Sequence, residues 1–190
     1  NGLSAPGIVE NISFKLEAGE ILGIAGLMGS GRTELARLIF GLDDHTTGSL
    51  QLAGQDVTHL TTAERIQLGM AFLTEDRRLE GLCLDASIDD NLSLTQLRDH
   101  SSPKLGWIDR QSLNESNHAA ETQVTLPSRT NRKNAVKTLS GGNQQKVVLA
   151  KWLARAPRML ILDEPTRGID VAAKEEIYQS INLLSKKDTG

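Results

Sequence analysis

Apolar and polar positions alternate from Ile8 to Leu16, with Ile12, Phe14 and Leu16 separated by Ser13 and Lys15, the period-two pattern of a strand. A turn at Ala18-Gly19-Glu20 leads into Ile21-Leu22-Gly23-Ile24-Ala25, a short run with no polar side chain, as expected of a strand buried on both faces. Leu35, Leu38 and Ile39 then fall at helical spacing between Glu34 and Phe40, and Gly41 suits the stop. Ser49 to Val57 reads as a hairpin arm around Ala53-Gly54, and Thr61-Thr62-Ala63-Glu64 as a capping box opening a short helix to Leu68. Met70 to Leu73 is a further buried strand. From Asp85 to about Val136 the apolar strands give way to Ser, Asn and charged residues, which predicts a helical lobe with Ser101-Ser102-Pro103 as a surface loop. Asn143 to Ala154 is a helix with Val147, Ala150 and Ala154 on one face, Met159 to Leu162 a buried strand, and Val171 to Lys186 a helix with Ile177, Ile181 and Leu184 inward.

A length of 190 residues suffices for one domain with its own core, and 38% hydrophobic with 24% charged residues is the balance of a soluble chain. The net charge of -3 argues against a non-specific nucleic-acid binder, which needs a basic face. Cys83, the single cysteine, cannot form an internal disulfide, and a reducing compartment is its natural setting. No apolar run approaches the ~20 residues of a membrane span, and Asn1 to Gly19 is too polar for a signal peptide. The start without Met and the stop at Asp188-Thr189-Gly190, just after a helical pattern, suggest a piece of a longer polypeptide. His45, His59, His100 and His118 occur in polar contexts that predict solvated side chains, whereas Trp107 and Trp152 are expected to pack.

Three stretches carry candidate chemistry. Gly26-Leu27-Met28-Gly29-Ser30-Gly31-Arg32-Thr33 lies between an apolar run and a helix, the context a phosphate-binding loop needs. Gly26, Gly29 and Gly31 let backbone N–H groups approach a ligand, and with the helix start they form an anion nest. Without a ligand, the same residues make a tight strand-to-helix turn. Asp163 closes an apolar strand and Glu164 follows it, either as metal and proton chemistry or as a helix-capping acidic pair. In Leu139-Ser140-Gly141-Gly142-Asn143-Gln144-Gln145-Lys146, Ser140 can cap a helix while Gly141 and Gly142 expose amides at its positive end.

In this order and at this separation, the three stretches resemble the Walker A, signature and Walker B motifs of the ATP-binding cassette (ABC) ATPases, and the resemblance covers essentially the whole chain. It implies an α/β P-loop NTPase fold with a RecA-like core, an antiparallel β subdomain and a helical signature subdomain. The corresponding division is residues 1–84, with the β subdomain and the first part of the core; 85–155, with the signature; and 156–190, with the rest of the core. The resemblance also implies ATP and Mg²⁺ as cofactors. Gly26, Met28, Gly29, Ser30, Gly31, Arg32, Thr33 and Glu34 would hold nucleotide, Thr33 and Asp163 would hold Mg²⁺, and Glu164 would polarise the attacking water. Ser140, Gly141, Gly142, Asn143 and Gln144 would act in trans on nucleotide bound to a partner cassette. Glu75 would stand at the Q-loop position and Asp170 in the D-loop.

Residues 26–35, Thr74-Glu75-Asp76-Arg77-Arg78, the extended signature 139–146 and Glu164 to Val171 are similar to the second cassette of bacterial monosaccharide importers of the ribose, xylose and galactose type. Arg32 stands where the pattern wants Lys, and a planar guanidinium does not fill the slot of a compact ammonium. Glu34 places a carboxylate near the expected α-phosphate. The resemblance therefore implies a degenerate Walker A site beside an intact signature. The implied partners are the N-terminal cassette of the same polypeptide, transmembrane permease subunits and, indirectly, a periplasmic or extracellular sugar-binding protein, at the cytoplasmic face of the membrane and without nucleic acid. A soluble tandem cassette acting on ribosomes or DNA and a non-catalytic nucleotide sensor are the alternative readings.

Overall fold

Leu3, Ala5 and Val9, the buried positions of the first two strands, form one wall of a core that the first helix completes. β1 (Leu3–Ala5) pairs antiparallel with β2 (Val9–Ile12), Leu3 opposite Ile12 and Ala5 opposite Val9. α1 (Arg32–Phe40) lays Leu35, Leu38 and Ile39 against them, and Ile12, Leu50, Met159 and Ile161 pack around the cluster. The structure, a computed structural model, describes residues 1–102, 104–127, 131–186 and 189. Pro103 of the expected surface loop lies outside them. Two compact units divide these residues: 1–72, 157–163 and the described positions from Leu184 onward form the first, and 73–156 with 164–183 the second.

In the first unit, β3 (Gln51–Leu52) and β4 (Gln55–Asp56) form the expected hairpin, Gln51 opposite Asp56. α2 (Thr62–Gln67) begins with the capping box read from sequence: Thr61 accepts the Glu64 N–H, and the Glu64 carboxylate accepts the Thr61 N–H at 2.8 Å. On the same helix Arg65 is 3% exposed. Its guanidinium donates to the Leu38 and Ile39 carbonyls at 3.0 and 2.7 Å, and to the Thr58 and Leu60 carbonyls at 2.9 and 3.0 Å. A buried cation thus satisfies the carbonyls that end α1, the orphan acceptors every helix leaves at its C-terminus. β5 (Met70–Leu73) pairs with β6 (Met159–Leu162), and Phe40 meets Phe72 with ring centroids 5.3 Å apart.

The run Ile21 to Ala25 departs from expectation. It forms no regular strand, and Ile21, Leu22 and Ile24 are 56%, 42% and 49% exposed. An apolar run becomes a strand only when a neighbour supplies the other half of its hydrogen-bond ladder; β5 and β6 pair with each other, and no described strand pairs with 21–25. The alternating strand from Ile8 to Leu16 is likewise regular only over Val9–Ile12, and Phe14 is 40% exposed. A cleft of about 770 Å³ beside Leu3, Ile12, Phe14, Ile39 and Met159 remains in this unit.

The second unit is helical, as the change of composition after Asp85 predicts. α3 (Ile88–Ser93), α4 (Arg110–Gln123) and α5 (Gly141–Leu153) pack on one another around Ile88, Leu92, Ala120, Val147 and Leu149. The polar residues that mark this lobe are partly inside it. Buried Gln96 donates to Asn117 at 2.7 Å, Asn117 donates to Ser93 at 2.9 Å, and Asn91 exchanges two hydrogen bonds with the Cys83 backbone. α6 (Val171–Ser185) buries Ala173, Ile177 and Leu184.

Trp152 packs as expected, 8% exposed, but Trp107 is 75% exposed. The loop closed by the Ser101–Ile108 bridge holds the Trp107 carbonyl, which accepts the Ser102 N–H at 2.8 Å, and leaves its ring outside. His45 is half-buried and stacked on His59, with centroids 6.2 Å apart, and burial holds its pKa below the ordinary value.

Lys151 on α5 donates to the Gly81 carbonyl at 2.6 Å and is 7% exposed; burial pushes its pKa down to about 8 from 10.5. Above pH 8 the folded protein loses this proton while the unfolded chain keeps it, so stability rises with pH up to about 10.5. Relative to Lys151→Met, the wild-type protein should gain up to roughly 3 kcal/mol across that window in urea-unfolding experiments. A pH-independent difference would contradict the assigned burial.

Candidate functional site

The loop before α1 closes on itself. The Ser30 N–H donates to the Leu27 carbonyl at 3.1 Å, and a side chain at Gly26 would collide with the Ser30 hydroxyl. Gly31 is the N-cap of α1 in the left-handed region at φ 81°, and a Cβ there would sit 2.8 Å from the Ile8 carbonyl oxygen. Only glycine meets both demands. Among the described residues no side chain caps this helix end, and an uncapped helix start is the kind of end that attracts anions. Met28, Gly29, Ser30 and Glu34 are exposed and Arg32 and Thr33 half-buried. A glycine-bounded loop of this kind can offer backbone amides to a phosphate, while Glu34 places a negative charge in the first turn.

Asp163 directly follows β6 and is 9% exposed, and its Oδ2 is buried with no hydrogen-bond partner among the described residues. A buried, unpaired carboxylate oxygen is costly unless something binds it, and oxygen donors of this kind suit Mg²⁺. The Asp163 carboxylate and the hydroxyl of Thr33, both in the first unit, are oxygen donors of the type that suits the ion. Glu164, next in the chain, is exposed and takes a positive φ of 46°, an uncommon conformation for a residue with a side chain. Its carbonyl accepts the Arg167 N–H at 3.0 Å, closing the turn. Such strain persists where the surroundings over-determine it, which is a mark of functional turns.

The signature segment lies in the second unit. Ser140 is the N-cap of α5: its hydroxyl accepts the Asn143 N–H at 3.4 Å and its carbonyl accepts the Gln144 N–H at 2.9 Å. Ser140 is exposed and Asn143 half-buried, whereas Gln144 turns inward and donates to the Leu139 carbonyl at 3.2 Å. Gly142 lies against the start of α6. A Cβ at Gly142 would lie 2.5 Å from the Ala173 Cβ and 3.4 Å from Asp170 Oδ2. Asp170 itself caps α6, accepting the Ala173 N–H at 2.9 Å. Glu75 forms an ion pair with Arg167, so the Q-loop candidate is tied to the D-loop segment.

In the second unit the structure thus brings together Glu75, Asp170, Ser140, Gly141 and Gly142; in the first it holds residues 26–34 and Asp163. Sequence reasoning missed Arg77, Arg167 and Ala173. Arg77 reaches a carbonyl 90 positions away, and no local pattern encodes such a contact.

The fold is that of an ATP-binding cassette. The ABC transporter cassette MJ1267 superimposes with a TM-score of 0.82 at 21% identity, covering 100% of this chain and 77% of that one. The dimeric cassette MJ0796 gives 0.79 at 23% identity, covering 96% and 76%. The chain belongs to the ABC transporter family, which matches residues 9–167. Among curated relatives, the ribose import ATP-binding protein RbsA of Bacillus licheniformis is 47% identical over 184 residues, 97% of this chain and 37% of that protein. RbsA of Lactococcus lactis subsp. cremoris is 48% identical over 178 residues, 94% of this chain and 36% of the relative. The chain therefore spans little more than a third of the length of these relatives.

The contact at Gly142 is testable. Gly142→Ala should destabilise the protein by about 1–3 kcal/mol through overpacking, and Ala173→Gly in the same chain should restore part of the loss. A double-mutant cycle by urea unfolding should show a coupling of about 1 kcal/mol. Strict additivity would place the two helices further apart than described.

Proposed function

We propose that this chain is a nucleotide-binding cassette of a monosaccharide importer, the second cassette of a tandem ATPase. Its signature completes an ATP site on the partner cassette, while its own Arg32 site binds nucleotide weakly or hydrolyses it slowly. The observation that carries the proposal is an asymmetry: the exposed, serine-capped end of α5 is intact, and the loop 26–33 carries Arg32 and, one position on, Glu34.

In this reading residues 1–84 and 156–190 contribute the core and β subdomain, and 85–155 the helical subdomain. The Ser140 hydroxyl and the amides of Gly141, Gly142 and Asn143, at the positive end of α5, receive the γ-phosphate of ATP held by the N-terminal cassette. Gln144 holds the turn from behind through the Leu139 carbonyl. On this chain's own side, Gly26 to Gly31 cradle phosphate, Arg32 neutralises it, and Thr33 with Asp163 would hold Mg²⁺. Bound Mg²⁺ supplies charge neutralisation at the phosphates. Glu164 orients water, and Glu75 and Asp170 relay occupancy to the permease and to the partner cassette. The assembly is peripheral, at the cytoplasmic face of the membrane, with transmembrane permease subunits and an external sugar-binding protein. The likeness to ribose import proteins supports a pentose or a related sugar as cargo.

In the full-length protein assembled with its permease, Ser140→Arg should abolish ATP turnover and Glu164→Gln should leave much of it. Near-equal loss from both would overturn the division of labour. Calorimetric titration of ATP·Mg²⁺ should give absent or millimolar binding at the Arg32 site, tightened by Arg32→Lys; micromolar binding by the unaltered site would make Arg32 a working phosphate ligand.

A further inference from the structure

Arg77 has no role in the reading above, yet its guanidinium is the point where three segments of the second unit meet. Nη1 donates to the Arg167 carbonyl at 3.0 Å and Nη2 to the Gly168 carbonyl at 3.4 Å. The same Nη2 stands 2.8 Å from where a Cβ on Gly141 would be, and the Gly168 carbonyl 3.4 Å from it. The Arg77 guanidinium and the D-loop backbone therefore lie directly against the first signature glycine, and a side chain there would displace the guanidinium.

The root of Arg77 is fixed as firmly as its tip. It begins a single π-helical turn, Arg77–Gly81, whose start is held by Asp76: Oδ1 accepts the Arg78 and Leu79 N–H groups at 2.9 and 3.1 Å. The turn ends at Gly81, whose carbonyl accepts from Lys151 on α5. Contacts thus run from the body of α5 through Gly81 and Arg77 to Arg167-Gly168, and back to the amino end of α5 at Gly141. The Glu75–Arg167 ion pair ties the same two segments a second time.

Resting on the proposed role of the signature in trans, we propose that Arg77 is a positioning residue that clamps the 166–170 turn to the amino end of α5, so that Ser140 and Asp170 face the partner cassette as one rigid surface. A guanidinium can bridge two successive carbonyls in one plane, and a lysine ammonium can reach one of them. The clamp touches no nucleotide, so its loss acts on the geometry of the assembled site and leaves nucleotide capture on the partner's loop in place.

The test uses the full-length tandem protein with its permease, comparing Arg77→Ala, Arg77→Lys and Ser140→Arg. Hydrogen exchange reads the clamp directly: amides in 140–143 and 166–170 should exchange about tenfold faster or more in Arg77→Ala, with Arg77→Lys in between. Turnover reads its consequence: kcat should fall about tenfold or more with the KM for ATP within about twofold, and Arg77→Lys should recover part of it. Unchanged exchange, or a raised KM at unchanged kcat, overturns the inference. If Arg77→Ala does not fold, Arg77→Lys decides by the same two readouts. Ser140→Arg separates the two proposals: full turnover in that variant defeats the signature reading, while the exchange data still decide whether Arg77 is a clamp.

Discussion

Helix α5 approaches α6 so closely at Gly142 that a single methyl group there would overlap Ala173, and this approach fixes how the starts of the two helices sit in the second unit. Asp170 caps α6 at the same junction, and Ser140 caps α5 two residues before it. Two helix starts with exposed caps are thereby held side by side. The contact runs from the Gly142 backbone to the Ala173 methyl group, and packed interiors of this kind do not deform smoothly.

The remainder of α5 explains why that junction is rigid. Lys146, buried within the signature segment, donates to the Thr125 carbonyl at 3.1 Å and pairs with Glu176 on α6. Lys151 reaches Gly81, and Arg155, just past the helix, pairs with Asp99 and donates to the Thr95 carbonyl at 2.7 Å. Two buried lysines on α5 and an arginine just beyond it thus each reach carbonyls or carboxylates of other segments. Removing one such partner leaves a buried charge uncompensated, which costs more than the pair contributes in water. Lys146, the last residue of the extended signature, is thus a fastener of α5 to its surroundings.

Sequence alone disclosed the features whose causes are local. The capping box of α2, the serine cap of α5, the helical spacing of α6 and the glycine-bounded loop before α1 each follow from residues within a few positions of one another. Features with distant causes were not legible. Ile21 to Ala25 has the composition of a buried strand, but a strand is a property of its neighbours, and among the described residues none pairs with it. Trp107 has the composition of a core residue, but its loop holds the backbone and leaves the ring outside. Arg77 is one of two adjacent arginines, and only the fold separates the one that bridges Arg167 and Gly168 from Arg78, which is exposed. Within the candidate site, the motif residues could be read and the contacts that aim them could not.

In the proposed assembly, Ser140 and its neighbouring amides serve nucleotide bound to another cassette, while the loop 26–33 is the weaker partner. Vanadate trapped in the position of the γ-phosphate cuts the adjacent backbone on irradiation, so the cleavage map of the full-length protein with its permease reports which segment touches that phosphate. Cleavage is expected within 139–142 of this chain and not within 26–33. Cleavage within 26–33, with 139–142 intact, would contradict that assembly.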